Sequence, residues 1–157
     1  MSKFQKSQLA VDGNQIHMSM PFAKVDKENR LVSGWATLDN VDTQGDVVLA
    51  EASAKAFARA RGNIREMHQP IAAGKIVDFR EEQYFDEIDN KIYRGIFVTA
   101  YVSEGAEATW KKCLDGTLTG FSIGGEINQA SNEFSKEAGR SVRLIEDYDL
   151  TELSLVD

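Results

Sequence analysis

The segment Gly120-Phe121-Ser122-Ile123-Gly124-Gly125 sets a serine among glycines, and the chain carries only two histidines, His17 and His68. A serine hydroxyl attacks an acyl carbon only when a base takes its proton and the carbonyl can reach it. Neighbouring glycines let the backbone approach a substrate closely, and their N–H groups can face a developing oxyanion. Strand alternation predicts Phe121 and Ile123 on one face and Ser122 on the other. The same residues also fit a plain strand whose glycines mark a bulge and whose serine meets water. His68, within Arg65-Glu66-Met67-His68-Gln69-Pro70, is the natural base at neutral pH, since His17 falls in a polar, aperiodic stretch. An isolated histidine equally fits a hydrogen-bonded surface role.

Other residues invite chemistry less well. Asp39, Asp42 and Asp46 share a loop that suggests calcium, but Val41 stands where an oxygen ligand is needed and no glutamate closes the loop. A polar turn before a helix is the simpler reading. A metal-dependent hydrolase would have to combine His68 with Asp42 and Asp46, and the shortage of histidines speaks against it. The acidic run Glu81, Glu82, Asp86, Glu87 and Asp89 reads as a solvated loop. Trp35 and Trp110 read as core anchors.

These residues need a scaffold. Residues 1–20, with a turn signal at Asp12-Gly13, are read as a flexible N-terminal arm carrying a first strand near Gln15–Met20. Residues 21–157 are read as a single domain. Strands are predicted over Arg30–Leu38, Ile64–His68, Ala73–Phe79, Lys91–Val102 and Thr119–Ile127, with one or two more in Ser141–Val156. Helices are predicted over Ala50–Arg61, stopped by Gly62-Asn63, and over Glu104–Leu114, closed by Asp115-Gly116. Glu81–Asn90 is taken as an acidic, flexible, hairpin-like excursion between two strands, and Asn128–Gly139 as polar. The sum is an α+β chain: mostly antiparallel β with two or three helices set into it.

Bulk properties narrow the field. The 157 residues suffice for one core, and 42% hydrophobic with 27% charged residues is a globular balance. A net charge of -7 argues against a nucleic-acid surface. One cysteine, Cys113, cannot form an intrachain disulfide and fits a reducing cytoplasm. With two histidines beside it, a structural zinc site is not expected, and neither a metal nor another cofactor is assigned. No apolar run reaches the ~20 residues that span a bilayer, so no membrane partner is expected.

In order along the chain, four segments resemble the prohead (capsid maturation) serine protease family of tailed bacteriophages, distantly related to herpesvirus assemblin. They are Gly34-Trp35-Ala36 with Asp42-Thr43-Gln44-Gly45-Asp46; the helix and His68; Asp115-Gly116 leading into Gly120–Gly124; and Leu150-Thr151-Glu152-Leu153-Ser154-Leu155-Val156. Together they run from about Val32 to Val156. The sequence departs from the family in Gln69, where members often carry an acidic residue, and in stopping at Asp157 where members commonly continue.

The resemblance implies a compact β-barrel-like fold with peripheral helices and a Ser122–His68 pair supported by a third polar residue. In the herpesvirus relatives that residue is a second, late histidine, and none follows His68 here. The resemblance therefore points to Glu152 as third member, with Asp149 the alternative and Asp147 behind both. Strand register decides between them. The implied reaction is serine endopeptidase chemistry through an acyl-enzyme, with the amides of Ile123, Gly124 and Gly125 as oxyanion candidates. The implied substrates are phage scaffold and capsid-protein extensions inside the immature prohead in the host cytoplasm, with self-cleavage and a homo-oligomer as further expectations. A non-catalytic phage structural or scaffold protein retaining the fold is the alternative.

Overall fold

The computed structural model describes residues 8–42 and 44–157. Among the described residues nine strands form one sheet, and seven of them close into a barrel. The strands are β1 Gln8–Asp12, β2 Gln15–Asp26, β3 Leu31–Leu38, β4 Asp46–Val48, β5 Asn63–Glu66, β6 Ala72–Asp86, β7 Lys91–Val102, β8 Gly120–Ser135 and β9 Arg140–Val156. Around the barrel the order is β2-β3-β7-β6-β5-β9-β8 and back to β2. Closure leaves those seven strands without an open edge along their paired lengths. Most pairings are antiparallel, but β5 and β4 each run parallel to a part of β9. β1 lies antiparallel along β2.

Alternation explains the barrel wall. In β2, Ile16, Met18 and Met20 are buried while Gln15 and His17 are exposed. In β8, Phe121 and Ile123 are fully buried, and in β9 Leu153 and Leu155 join them in one core with Ile96, Val98 and Ala100 of β7. Burying a large aliphatic or aromatic side chain stabilises the fold by about 1.5–3 kcal/mol. A polar substitution on this face would therefore undo the closure.

Among the described residues two α-helices flank the wall. α1, Ala50–Arg59, buries Ala52, Ser53, Ala56 and Phe57, and its Ser53 hydroxyl accepts a hydrogen bond from the buried Tyr148 at 2.9 Å. α2, Glu107–Asp115, follows a single 3₁₀ turn at Glu104–Ala106 and buries Thr109, Trp110 and Cys113. Gly116, at φ 81°, ends it in the left-handed conformation that glycine adopts without strain. Trp35 and Trp110 are core residues, as their size suggested. No helix among the described residues is long and apolar enough to cross a membrane.

Three expectations are corrected. The loose arm over residues 1–20 is, from Gln8 onward, a β1–β2 hairpin whose second strand pairs β8 through residues 15–21; residues 1–7 lie outside the described part. The acidic excursion Glu81–Asn90 is strand up to Asp86, because β6 keeps pairing β7 out to Asp86–Lys91. The polar stretch after Ile127 is likewise strand, β8 continuing against β9 to Ser135. The β6 and β8 segments are polar because most of their side chains face water, which conceals their ladders from hydropathy.

Candidate active site

The barrel places Ser122 on the outer face of β8, in register with Ser19 of β2 on one side and Ser154 of β9 on the other. One row along, Gly124 stands between His17 of β2 and Glu152 of β9. Phe121 and Ile123 hold the opposite face in the core, so Ser122 cannot turn away without exposing them.

His68 is delivered over these rows from the end of β5. Arg65 pairs Ser154 in the parallel β5–β9 ladder, and the chain then reverses. Met67 and His68 both take left-handed backbone, at φ 51° and 57°, and the Gln69 amide donates back to the Glu66 carbonyl at 2.9 Å. Positive φ at both central residues is the signature of a type I′ turn, which side-chain-bearing residues adopt only when surrounding contacts enforce it. Those contacts are present. The Met67 amide donates to the Leu155 carbonyl at 2.9 Å, and the His68 amide donates to Ser154 Oγ at 3.0 Å. Below the turn, buried Glu66 accepts from Thr109 at 3.1 Å and Lys112 at 3.2 Å, tying the turn to α2.

The result is one hydrogen-bonded line. Ser122 Oγ lies 2.9 Å from His68 Nε2. On the other side of the ring, His68 Nδ1 is bonded to both carboxylate oxygens of Glu152, the Oε2 contact at 3.2 Å. Glu152 is 5% exposed, and Ser154 Oγ donates to its Oε1 at 3.0 Å. A buried carboxylate needs such partners, because an ionised group without them is strongly destabilised. Ser154 thus holds the carboxylate and the histidine backbone at once, a role no sequence signal marked except its i+2 spacing from Glu152.

The bulge in β9 explains why Glu152 occupies the site and Asp149 does not. Register slips between Gly124 and Gly125, where Thr151 is the extra residue on β9 and donates its hydroxyl to the Gly124 carbonyl at 2.8 Å. Beyond the bulge, Asp149 and Asp147 lie farther along the strand, where both carboxylates bind Arg59 at 3.3 Å. Asp147 also accepts from Asn128 at 3.0 Å, which holds its carboxyl below the usual range.

A side chain at Gly124 would crowd Glu152. A Cβ at this position would lie 3.1 Å from the Glu152 carboxyl carbon and from Oε2. Gly124→Ala is therefore expected to push the carboxylate off His68 and lower turnover about tenfold while the protein still folds, measured as kcat beside thermal unfolding. Unchanged kcat would show that the carboxylate has room to move. The oxyanion expectation for Ile123, Gly124 and Gly125 is corrected. Between Gly120 and Glu126, β8 has β2 on one edge and β9 on the other, so these amides point in the sheet plane into the two ladders. They do not project onto the face that carries Ser122 Oγ.

Other candidate groups are engaged elsewhere. Asp42 Oδ1 accepts from the amides of Gln44 and Asp46 at 2.9 and 2.8 Å, closing its own turn. Asp46 binds Arg143 at 2.9 Å, and Asp39 accepts from the Arg94 amide at 2.8 Å. Among the described residues no three His, Cys, Asp or Glu side chains gather where they could hold a metal ion. The Cys113 thiol, buried within α2, is pushed up to about 11 by desolvation first and then by the charges of Glu66 and Asp115. A thiol so shifted stays protonated at neutral pH and is a poor nucleophile.

A barrel wall carrying a serine bonded to an imidazole, itself bonded to a buried carboxylate, has the geometry of serine hydrolases that work through an acyl intermediate. Over residues 19–149 the sequence matches the family described as "Putative phage serine protease XkdF", and the chain belongs to this family of phage serine proteases. No curated protein and no solved structure matches the chain.

Proposed function

We propose that the protein is a serine endopeptidase that trims phage scaffold and capsid-protein extensions during prohead maturation. The observation that carries this reading is the Ser122–His68–Glu152 line, with 2.9 Å between hydroxyl and imidazole. His68 Nε2 takes the proton as Ser122 Oγ bonds to the peptide carbonyl carbon. The imidazolium then gives that proton to the leaving amine as the C–N bond breaks. Water, deprotonated by the same nitrogen, cleaves the acyl ester and restores the serine. Glu152 holds Nδ1 protonated, so that Nε2 is free to accept, and its charge favours the imidazolium.

The phage-assembly setting rests on the family membership and on the resemblance of the closing and loop segments to prohead proteases. We extend it to relatedness with the herpesvirus assemblin barrel, to action inside the immature shell in the host cytoplasm, to self-cleavage and to a homo-oligomer. The first experiment is treatment of the full chain with a fluorophosphonate, followed by peptide mapping. Ser122 is expected to carry the phosphonyl group, with no effect of chelators on the rate. A wild-type Ser122 that stays unmodified would favour a non-catalytic structural protein instead.

A further inference from the structure

The two histidines, 51 positions apart in the sequence numbering of His17 and His68, meet at the site: their ring centroids lie 4.7 Å apart with the planes inclined at 70°. His17 occupies β2 in register with Gly124, and Glu152 faces Gly124 from the opposite strand. Gly124 contributes no side chain to this row, so the two flanking side chains converge on His68 from either end. Glu152 binds its Nδ1; the His17 ring packs against it in a T-shaped arrangement.

Hydrogen bonds from Nδ1 and Nε2 lie in the imidazole plane. They fix two atoms of the ring but oppose tilting about the line through them only weakly, since hydrogen bonds tolerate moderate bending. The His68 side chain remains 29% exposed, so the barrel does not close over it. During acyl-enzyme formation Ser122 Oγ becomes an ester oxygen and ceases to be a donor to Nε2. The ring is then held by Glu152 and by the His17 ring packed against it.

We propose that His17 is a positioning residue for His68, a ring wall that keeps the imidazole in line with Ser122 and, after acylation, with the incoming water. This rests on the protease reading and adds to it a residue from the N-terminal hairpin. A β2 strand that closes the barrel therefore also completes the site. The role belongs to the ring as a surface, and a phenyl group at the same position should fill it.

The test uses the full chain as wild type, His17→Ala and His17→Phe. It measures the rate of Ser122 phosphonylation, and kcat and KM on a peptide the wild type cleaves. His17→Ala is expected to lose about tenfold in both labelling rate and kcat, with KM within about twofold, as misplacing a reacting group slows chemistry without weakening binding. His17→Phe is expected to recover to within about threefold of wild type on the same reasoning. Equal labelling of wild type and His17→Ala overturns the inference. So does a His17→Phe variant as slow as His17→Ala, which would require the imidazole nitrogens, and so does a rise in KM alone, which would make His17 a substrate contact. If wild-type Ser122 is neither labelled nor able to cleave, the protease reading falls and this inference with it.

Discussion

Ser122→Ala is expected to abolish peptide cleavage, with a loss of about 10³-fold at the least and up to about 10⁶-fold, the range found when a nucleophile is removed from a coupled serine site. The substitution takes away one oxygen whose partner in the structure is His68 Nε2 at 2.9 Å. The core face of β8 is untouched, because Phe121 and Ile123 point the other way. Stability should therefore change by no more than about 1 kcal/mol, the usual net worth of one hydrogen bond. The measurement is cleavage of a scaffold or capsid-extension substrate, followed by gel and mass spectrometry, beside thermal unfolding. Full activity in a folded Ser122→Ala protein would remove the serine from the reaction.

Glu152→Gln carries the second large effect. An amide is nearly isosteric with the carboxylate, so it fits the same space beside Ser154. The charge that favours the imidazolium is lost. The amide can also turn its NH₂ toward Nδ1, which selects the tautomer with the proton on Nε2 and leaves no lone pair for the Ser122 proton. Turnover is expected to fall by about 10³–10⁴-fold, with substrate binding little altered. Asp149→Asn is the paired control. That carboxylate lies on the far side of the bulge against Arg59, and its removal should leave kcat within about twofold, as for surface substitutions away from a site. Equal losses in the two variants would mean that the β9 register differs from the one described.

Much of the architecture was readable from local pattern. Alternation in Gly120–Ile127 separates Ser122 from Phe121 and Ile123, and the structure keeps that separation. The helix over Glu104–Leu114 ends at Gly116 in the left-handed conformation, as Asp115-Gly116 suggested. Polar hairpins were read less well. β8 beyond Ile127 is held by a backbone ladder with water on both faces, so its side chains carry no period for hydropathy to report, and β6 beyond Phe79 turns only Tyr84 and Asp86 inward among polar neighbours. In the N-terminal hairpin the Asp12-Gly13 turn and the strand from Gln15 to Met20 were readable, but its first strand, Gln8–Asp12, was not, and the whole stretch read as an arm because its outward residues are polar.

At the site, the sequence by itself determined the reacting types: one serine among glycines, one histidine in the body of the chain, and a run of acidic residues before the end. Residue type and facing are local properties, set by side-chain chemistry and a two-residue period. Partners are not local. Which carboxylate meets His68 depends on one extra residue, Thr151, which shifts β9 against β8. The work of Gly124 is to leave room for Glu152 across the sheet, and this was invisible until β9 lay beside it. The same holds for Ser154 under the His68 turn, for His17 against its ring, and for the Ile123–Gly125 amides drawn into two ladders. Barrel closure decides all of these together, because it fixes which strands are neighbours and in what register, and no single strand encodes its neighbour's offset.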